Sequence, residues 1–185
     1  MPTGPGEGRV PPTIRPSRED DVAAIAAIYG HAVATDTASF ELEPPTVAAM
    51  GERRAALVDA GFPYLVAEEA GRVLGYAYAG PYRLRPAYRW TVEDSIYVAP
   101  DAKGRGVGRV LLGALIARSE ALGFRLMVAV MGDAATGASV ALHRALGFRD
   151  AGVFEGIGWK HGRWLATVQM QRPLGEGAST PPPDR

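Results

Sequence analysis

The chain has 185 residues, enough for one domain with a well-buried core, and its 47% hydrophobic and 22% charged residues are an ordinary globular balance. Twenty Lys and Arg against 20 Asp and Glu give a formal net charge of zero, so no global field draws nucleic acid or an anionic membrane surface. The absence of cysteine excludes disulfides, thiolate metal sites and an acyl-cysteine intermediate and fits a reducing cytoplasm, while no apolar stretch approaches the ~18 residues of a membrane span and the N-terminus lacks a signal-type core.

Residues 1–12 and 175–185 are rich in Gly and Pro and read as disordered tails, which leaves 13–174 as a single domain. Thr13 to Arg15 reads as a short strand. Ser17 is placed to cap a helix from about Asp20 to Ala34, with Asp20 and Asp21 near its positive end. A second helix runs from about Thr46 to Asp59 and stops at Gly61. Tyr64 to Glu69 and Val73 to Ala79 form two strands around Ala70-Gly71, a hairpin signal. Trp90 to Val98 is the next strand, closed off by Pro100. Val107, Val110, Leu111, Ala114, Leu115, Ala121 and Leu122 then recur at helical spacing up to Gly123. Leu126 to Met131 is almost wholly apolar, as a strand buried on both faces is. A short helix from Ser139 to Leu146 stops at Gly147, and Val153 to Lys160 and Arg163 to Gln171 make a last hairpin around His161-Gly162. The order β-α-α-β-β-β-α-β-α-β-β predicts an α/β fold with one mixed sheet and helices on both faces.

The stretch Lys103-Gly104-Arg105-Gly106-Val107-Gly108 joins a strand end to an amphipathic helix. Such a turn can aim successive main-chain amides and the positive end of the helix at one phosphate. Lys103, Arg105 and Arg109 add charge beside it. A dinucleotide fingerprint needs G-x-G-x-x-G and an acidic residue about 20 residues on. Here the glycines read G-x-G-x-G, and Leu126 to Val130 ends without that carboxylate. The nucleoside-triphosphate loop G-x-x-x-x-G-K-S/T is absent. A plain glycine turn before an ordinary helix is the bland alternative, and it leaves the coincidence of strand end, basic turn and amphipathic helix unexplained.

Three further features could carry chemistry. Glu93 lies among Trp90, Val92, Ile96 and Tyr97, an apolar setting that favours a raised pKa and a role as base. Asp94, on the opposite face of the same strand, competes for that role, and a salt-bridged edge carboxylate is the plain alternative. His143 shares a helical face with Ser139 and titrates near neutrality, though a core histidine would look the same. The segment from Tyr82 to Trp90 is basic and aromatic. Arg83, Arg85 and Arg89 could grip a carboxylate or phosphinate; a solvated loop or a nucleic-acid patch would use the same residue types. His31 and His161 reach no metal-ligand spacing.

These residues resemble the GNAT superfamily of acetyl-CoA-dependent N-acetyltransferases. Lys103 to Gly108 resembles its pyrophosphate loop, R/Q-x-x-G-x-G/A, with Lys in the first position. Ser139 to Phe148 resembles its second motif, S-x-x-L-Y-x-x-L-G-F, with His143 at the Tyr position. Ala77 to Tyr82, Tyr88 to Glu93 and Lys160 to Trp164 are similar to the branch that acetylates phosphinothricin and methionine sulfoximine, which also carries His at the position of His143. Thr136 stands where the superfamily usually has Asn.

The resemblance implies a GNAT-like, mostly antiparallel mixed sheet and acetyl transfer to the α-amine of a small anionic amino acid by direct attack. It implies Glu93 as base, acting through water or directly, and His143 as assistant at the sulfur. Ile96, Tyr97 and Val98 would pair with the pantetheine arm. Lys103, Gly104, Arg105, Gly106, Val107, Gly108 and Arg109 would hold the pyrophosphate, with Thr136 and Ser139 also at the cofactor. Arg83, Arg85 and Tyr88 would orient the substrate's acidic end and Phe40 would cover it. It further implies a homodimer, with no metal, nucleic acid or membrane involved. Two other functions share the cofactor turn: an acetyltransferase for peptide or protein amines, which needs an open groove, and an acetyl-CoA-binding module without turnover, which needs neither Glu93 nor the arginines.

Overall fold

The computed structural model describes residues 12–132 and 136–182; residues 1–11 and 183–185 of the expected tails, and the side chain of Thr136, lie outside the described residues. Seven strands form one sheet: β1 (Thr13–Pro16), β2 (Tyr64–Glu69), β3 (Arg72–Pro81), β4 (Thr91–Val98), β5 (Leu126–Gly132), β6 (Arg149–Lys160) and β7 (Arg163–Pro173). The helices are α1 (Val22–Thr35), α2 (Val47–Asp59), α3 (Val107–Ala121) and α4 (Thr136–Ala145). This is the element order that the periodicity predicts. The spatial order is β1-β2-β3-β4-β5-β7-β6. Only β4 and β5 run parallel, and α3 is the crossover that a parallel pair requires. The sequence does not reveal that β7 inserts between β5 and β6. It pairs with β5 along the whole strand, from Leu126↔Pro173 to Gly132↔Thr167, leaving β6 as the edge.

The two faces of the sheet have different cores. Tyr64, Tyr76, Tyr78 and Tyr97 stack on one face at ring separations of 5.0 to 5.8 Å, and Tyr29 of α1 meets Tyr97 edge-on at 4.9 Å. On the other, α3 buries Leu111, Leu112 and Leu115 completely. A Cβ on Gly75 would come within 2.8 Å of the Tyr97 carbonyl oxygen and 3.2 Å of Leu111, so the absence of a side chain there lets α3 close on the sheet.

Two local expectations differ. Ser17 caps no helix: its hydroxyl accepts from Arg54 Nε at 2.8 Å, and a 3-10 turn over Glu19–Asp21 precedes α1. The Asp21 carboxylate takes the capping role, accepting from the Arg18 amide at 2.7 Å. Residues 175–182 follow β7 as turns rather than as a loose tail. Arg125 donates to Gly177 O, Thr180 Oγ1 and Pro181 O at 3.1 to 3.4 Å, and Leu174 is wholly buried. Among the described residues no helix is long and apolar enough to cross a membrane.

Candidate active site

Parallel pairing of β4 with β5 runs only from Thr91↔Leu126 to Asp94↔Ala129. Beyond it the strands diverge. β4 stays paired to β3 through Val98, and β5 stays paired to β7 through Gly132. The facing main-chain edges of Ser95–Val98 and Val130–Gly132 therefore border an opening instead of each other. A cavity of about 70 Å³ sits there, lined by Ser95–Tyr97 and Ala129–Gly132 with Ala38, Asp94, Ser139 and His143. An unpaired strand edge offers its amides and carbonyls to any extended ligand.

Adjacent strand residues face opposite ways, and this divides Glu93 from Asp94 at the vertex. Glu93 lies on the tyrosine face, where its charge bears on Tyr78. Burial raises its pKa above the ordinary carboxylate value, and Asp94 adds to the shift. Asp94 lies on the α4 face, and its Oδ2 is 3.1 Å from His143 Nε2. His143 Nδ1 is 2.8 Å from the Ser139 carbonyl oxygen. Burial alone would lower the pKa of His143, but the Asp94 carboxylate and the Ser139 carbonyl outweigh it and the net shift is upward. Both ring nitrogens face acceptors, so the doubly protonated ring is the form this pocket satisfies. Its two N–H groups are then both engaged, and what it brings to the cavity wall is a positive charge rather than a free N–H. Among the described residues Asp94 Oδ1 has no hydrogen-bond partner.

Val98 leads through a 3-10 turn at Pro100–Ala102 to the glycine stretch. Gly104 and Gly106 have φ of 75° and 79°, and Gly106 is the N-cap of α3. A Cβ on either would meet nothing within 4 Å, so glycine serves the left-handed backbone there and not the space. The amides of Arg109 and Val110 donate to the Gly106 carbonyl, which leaves those of Val107 and Gly108 as the helix-start donors a ligand could use. Gly108 works differently: its Cβ would be 3.3 Å from Leu142, so it sets the approach of α3 to α4. Arg105 is bound to both oxygens of Glu69 at 2.8 and 2.6 Å, with 16% of its side chain exposed. It braces the turn, its guanidinium engaged by Glu69 of β2 where the sequence suggests a free cation for a phosphate. Lys103 and Arg109 are exposed, the former 3.9 Å from Asp36. Val98 is five residue steps from Glu93, about 17 Å at ~3.4 Å per residue, so a cofactor anchored at this turn must carry its reactive end on an extended arm.

At the other end of β4, Tyr82 to Trp90 form the β3–β4 connection. Arg83, Arg85 and Tyr88 are exposed there, outside the cavity. The Arg83 guanidinium lies 5.2 Å from the Tyr82 ring centre and 6.0 Å from that of Tyr88. Phe40, 37% exposed, sits against Gly158 and Gly132 beside the opening. Ile96, Tyr97, Ser139 and His143 thus share one cavity, with Phe40 beside it against Gly132 and Glu93 on the opposite face of β4 from Asp94. The glycine turn and the arginine segment flank them at the two ends of β4. Among the described residues no group of three or more His, Cys, Asp or Glu is placed to hold a metal ion. Asp94 as the partner of His143, and Ala38 and Val130–Gly132 as cavity walls, are missed by sequence reasoning. The strand alternation that separates Asp94 from Glu93 is the one signal that could have pointed to the first of these.

Residues 25–148 match the acetyltransferase (GNAT) family. The chain belongs to this family. The GNAT chain is 56% identical over 170 residues to phosphinothricin N-acetyltransferase of Alcaligenes faecalis, with 92% of this chain and 86% of that protein covered. It is 41% identical over 174 residues to the L-methionine sulfoximine/L-methionine sulfone acetyltransferase of Pseudomonas aeruginosa, covering 91% and 98%. Among solved structures, a GNAT superfamily phosphinothricin acetyltransferase from Sinorhizobium meliloti in complex with AcCoA superposes with a TM-score of 0.91 at 48% identity, over 95% of each chain. The mixed sheet with its parallel β4–β5 pair is the GNAT fold in this chain.

Proposed function

We propose that this GNAT enzyme transfers the acetyl group of acetyl-CoA to the α-amine of a small anionic amino acid of the phosphinothricin or methionine sulfoximine kind. The carrying observation is the vertex of β4 and β5. It opens a sheet edge for a thioester arm and places Glu93 and the Asp94–His143 pair on opposite faces. Acetyl-CoA supplies an activated acyl group there. The main chain of Ile96–Val98 would hold its arm, the amides at Val107 and Gly108 its diphosphate, and Lys103 and Arg109 would add charge. Glu93 accepts the amine proton on the tyrosine face, directly or through water. His143, held charged by Asp94, stabilises the departing thiolate on the α4 face. Arg83, Arg85 and Tyr88 are the groups available to the acceptor's acidic end, and Phe40 covers it.

A thiol-release assay over a panel of amines tests this reading. Phosphinothricin and methionine sulfoximine should release CoA thiol well above the background rate, and peptides with free N-termini should not. Release with peptides alone would move the enzyme to the protein-amine class. No release with any amine would leave a binding module.

The two ionisations also set a sign for pH. Glu93 must be deprotonated, so kcat/KM rises as pH passes its raised value. His143 must be protonated, so kcat/KM falls as pH passes its own raised value. Asp94→Asn removes the group that raises His143, and the upper limb should move to lower pH. Comparing variant and wild type on one acceptor cancels the acceptor's own ionisation. An unmoved upper limb would separate Asp94 from the chemistry.

The reading includes a cytoplasmic location, with which a cysteine-free chain is compatible, and a homodimer. Support for the dimer lies in the β6–β7 hairpin, where Val153, Phe154, Ile157, Trp159 and Trp164 are 52 to 65% exposed. So much apolar surface on one arm suits a second copy. Sedimentation at micromolar concentration should give twice the monomer's 19.6 kDa, and Trp164→Glu should lower it to the monomer. A monomeric wild type would remove the dimer.

A further inference from the structure

The segment between α1 and α2 reaches the opening without belonging to any strand, yet it is held at three points. Its main chain lies directly on the end of β5, because a Cβ on Gly132 would fall 2.0 Å from the Thr37 carbonyl oxygen. The Phe40 ring rests on β6, where a Cβ on Gly158 would be 2.4 and 2.5 Å from two ring carbons. Two residues further along the same face of β6, Lys160 is only 3% exposed. Its ammonium donates to Asp36 O at 2.9 Å and to Ser39 O at 2.7 Å. Ala38, between those carbonyls, lines the cavity. From the other side, Tyr29 Oη lies 2.8 Å from Ser39 Oγ and donates to Glu41 at 3.0 Å, and Arg53 holds Glu41 at 2.6 Å. Almost-buried lysines are rare unless their donors are used, and these two carbonyls have no strand ladder to satisfy them.

We propose that Lys160 and Gly158 are positioning residues for the acceptor: Lys160 pins the 36–40 segment through its carbonyls, and Gly158 provides the seat on which the Phe40 ring roofs the opening. This rests on the reading that the opening delivers acetyl to an amine. Neither residue touches the reacting atoms. Both act on how well the acceptor is held, and on the size of acceptor that fits under the ring. Loosening the segment costs acceptor binding more than cofactor binding, because the diphosphate turn lies at the far end of β4.

Two variants of the full chain test this. Lys160→Met keeps length and removes the donors; Gly158→Ala pushes the ring off its seat and leaves Lys160 alone. Each should raise the acceptor KM on the order of tenfold, with kcat and acetyl-CoA affinity changed far less. Hydrogen exchange at the amides of Thr37 to Phe40 should quicken in Lys160→Met. Gly158→Ala should have no further effect on KM in a Phe40→Ala background, since it acts only through the ring. Unchanged KM and unchanged exchange in both single variants would overturn the proposal. So would a Gly158→Ala effect that persists without the ring. If Lys160→Met does not fold, the Gly158 and Phe40 comparison decides alone. If the wild type acetylates no amine, the functional reading fails, and the exchange measurement still decides whether Lys160 is the clamp.

Discussion

Glu93→Gln should lower kcat about 10²- to 10⁴-fold, the usual contribution of a positioned proton acceptor, and leave the Kd for acetyl-CoA within roughly a factor of two. Gln has the same shape and volume, so the half-buried position between β3 and β5 remains filled. What is lost is a carboxylate whose pKa burial and Asp94 have raised toward the range where a base works. Cofactor affinity is spared because the phosphate turn lies at the far end of β4. Single-turnover rates on a saturating acceptor, paired with calorimetric titration of acetyl-CoA, separate the two effects. An unchanged rate would remove the base assignment, and a weakened Kd would show that Glu93 serves the cofactor instead.

Gly106→Val attacks the other end of the strand through the backbone. With φ at 79°, the N-cap of α3 is in a region that a β-branched residue avoids. Holding a non-glycine residue there costs about 1–3 kcal/mol, which is roughly 5- to 150-fold in Kd if binding bears the whole cost. The space around Gly106 is open, so no clash with the core is involved and the fold should survive. Gly108→Ala is the control with the opposite outcome. Its φ is not left-handed, its amide is kept, and its methyl would meet only the movable end of the Leu142 side chain at 3.3 Å, so acetyl-CoA should still bind. If Gly106→Val binds as tightly as wild type, the diphosphate is not held at this turn.

Local pattern carried most of the fold. The two hairpins were legible because their turns need residues that tolerate the left-handed region, and Ala70-Gly71 and His161-Gly162 stand there with φ between 50° and 78°. The apolar runs of β2 and β5 and the helical spacing of α3 were equally plain. What escaped was long-range. The insertion of β7 beside β5 depends on pairing over some 40 residues, which no window of sequence contains. Arg105 looked like a phosphate ligand by its place in the glycine stretch. Its partner, Glu69, is 36 residues away on β2. Asp94 looked like a rival to Glu93 because the two are adjacent, and only α4 shows that strand alternation gives it to His143 instead. Lys160 carried a family motif without a reason, and the reason is a pair of carbonyls more than 120 residues earlier.

The most direct test of the account is where acetyl-CoA lies in a crystal of its complex with this chain. The account predicts the pantetheine arm along the free edge of Ile96–Val98, the diphosphate on the amides of Val107 and Gly108, and the thioester at the vertex between Glu93 and His143. Acetyl-CoA seated anywhere other than the gap between β4 and β5 would contradict it.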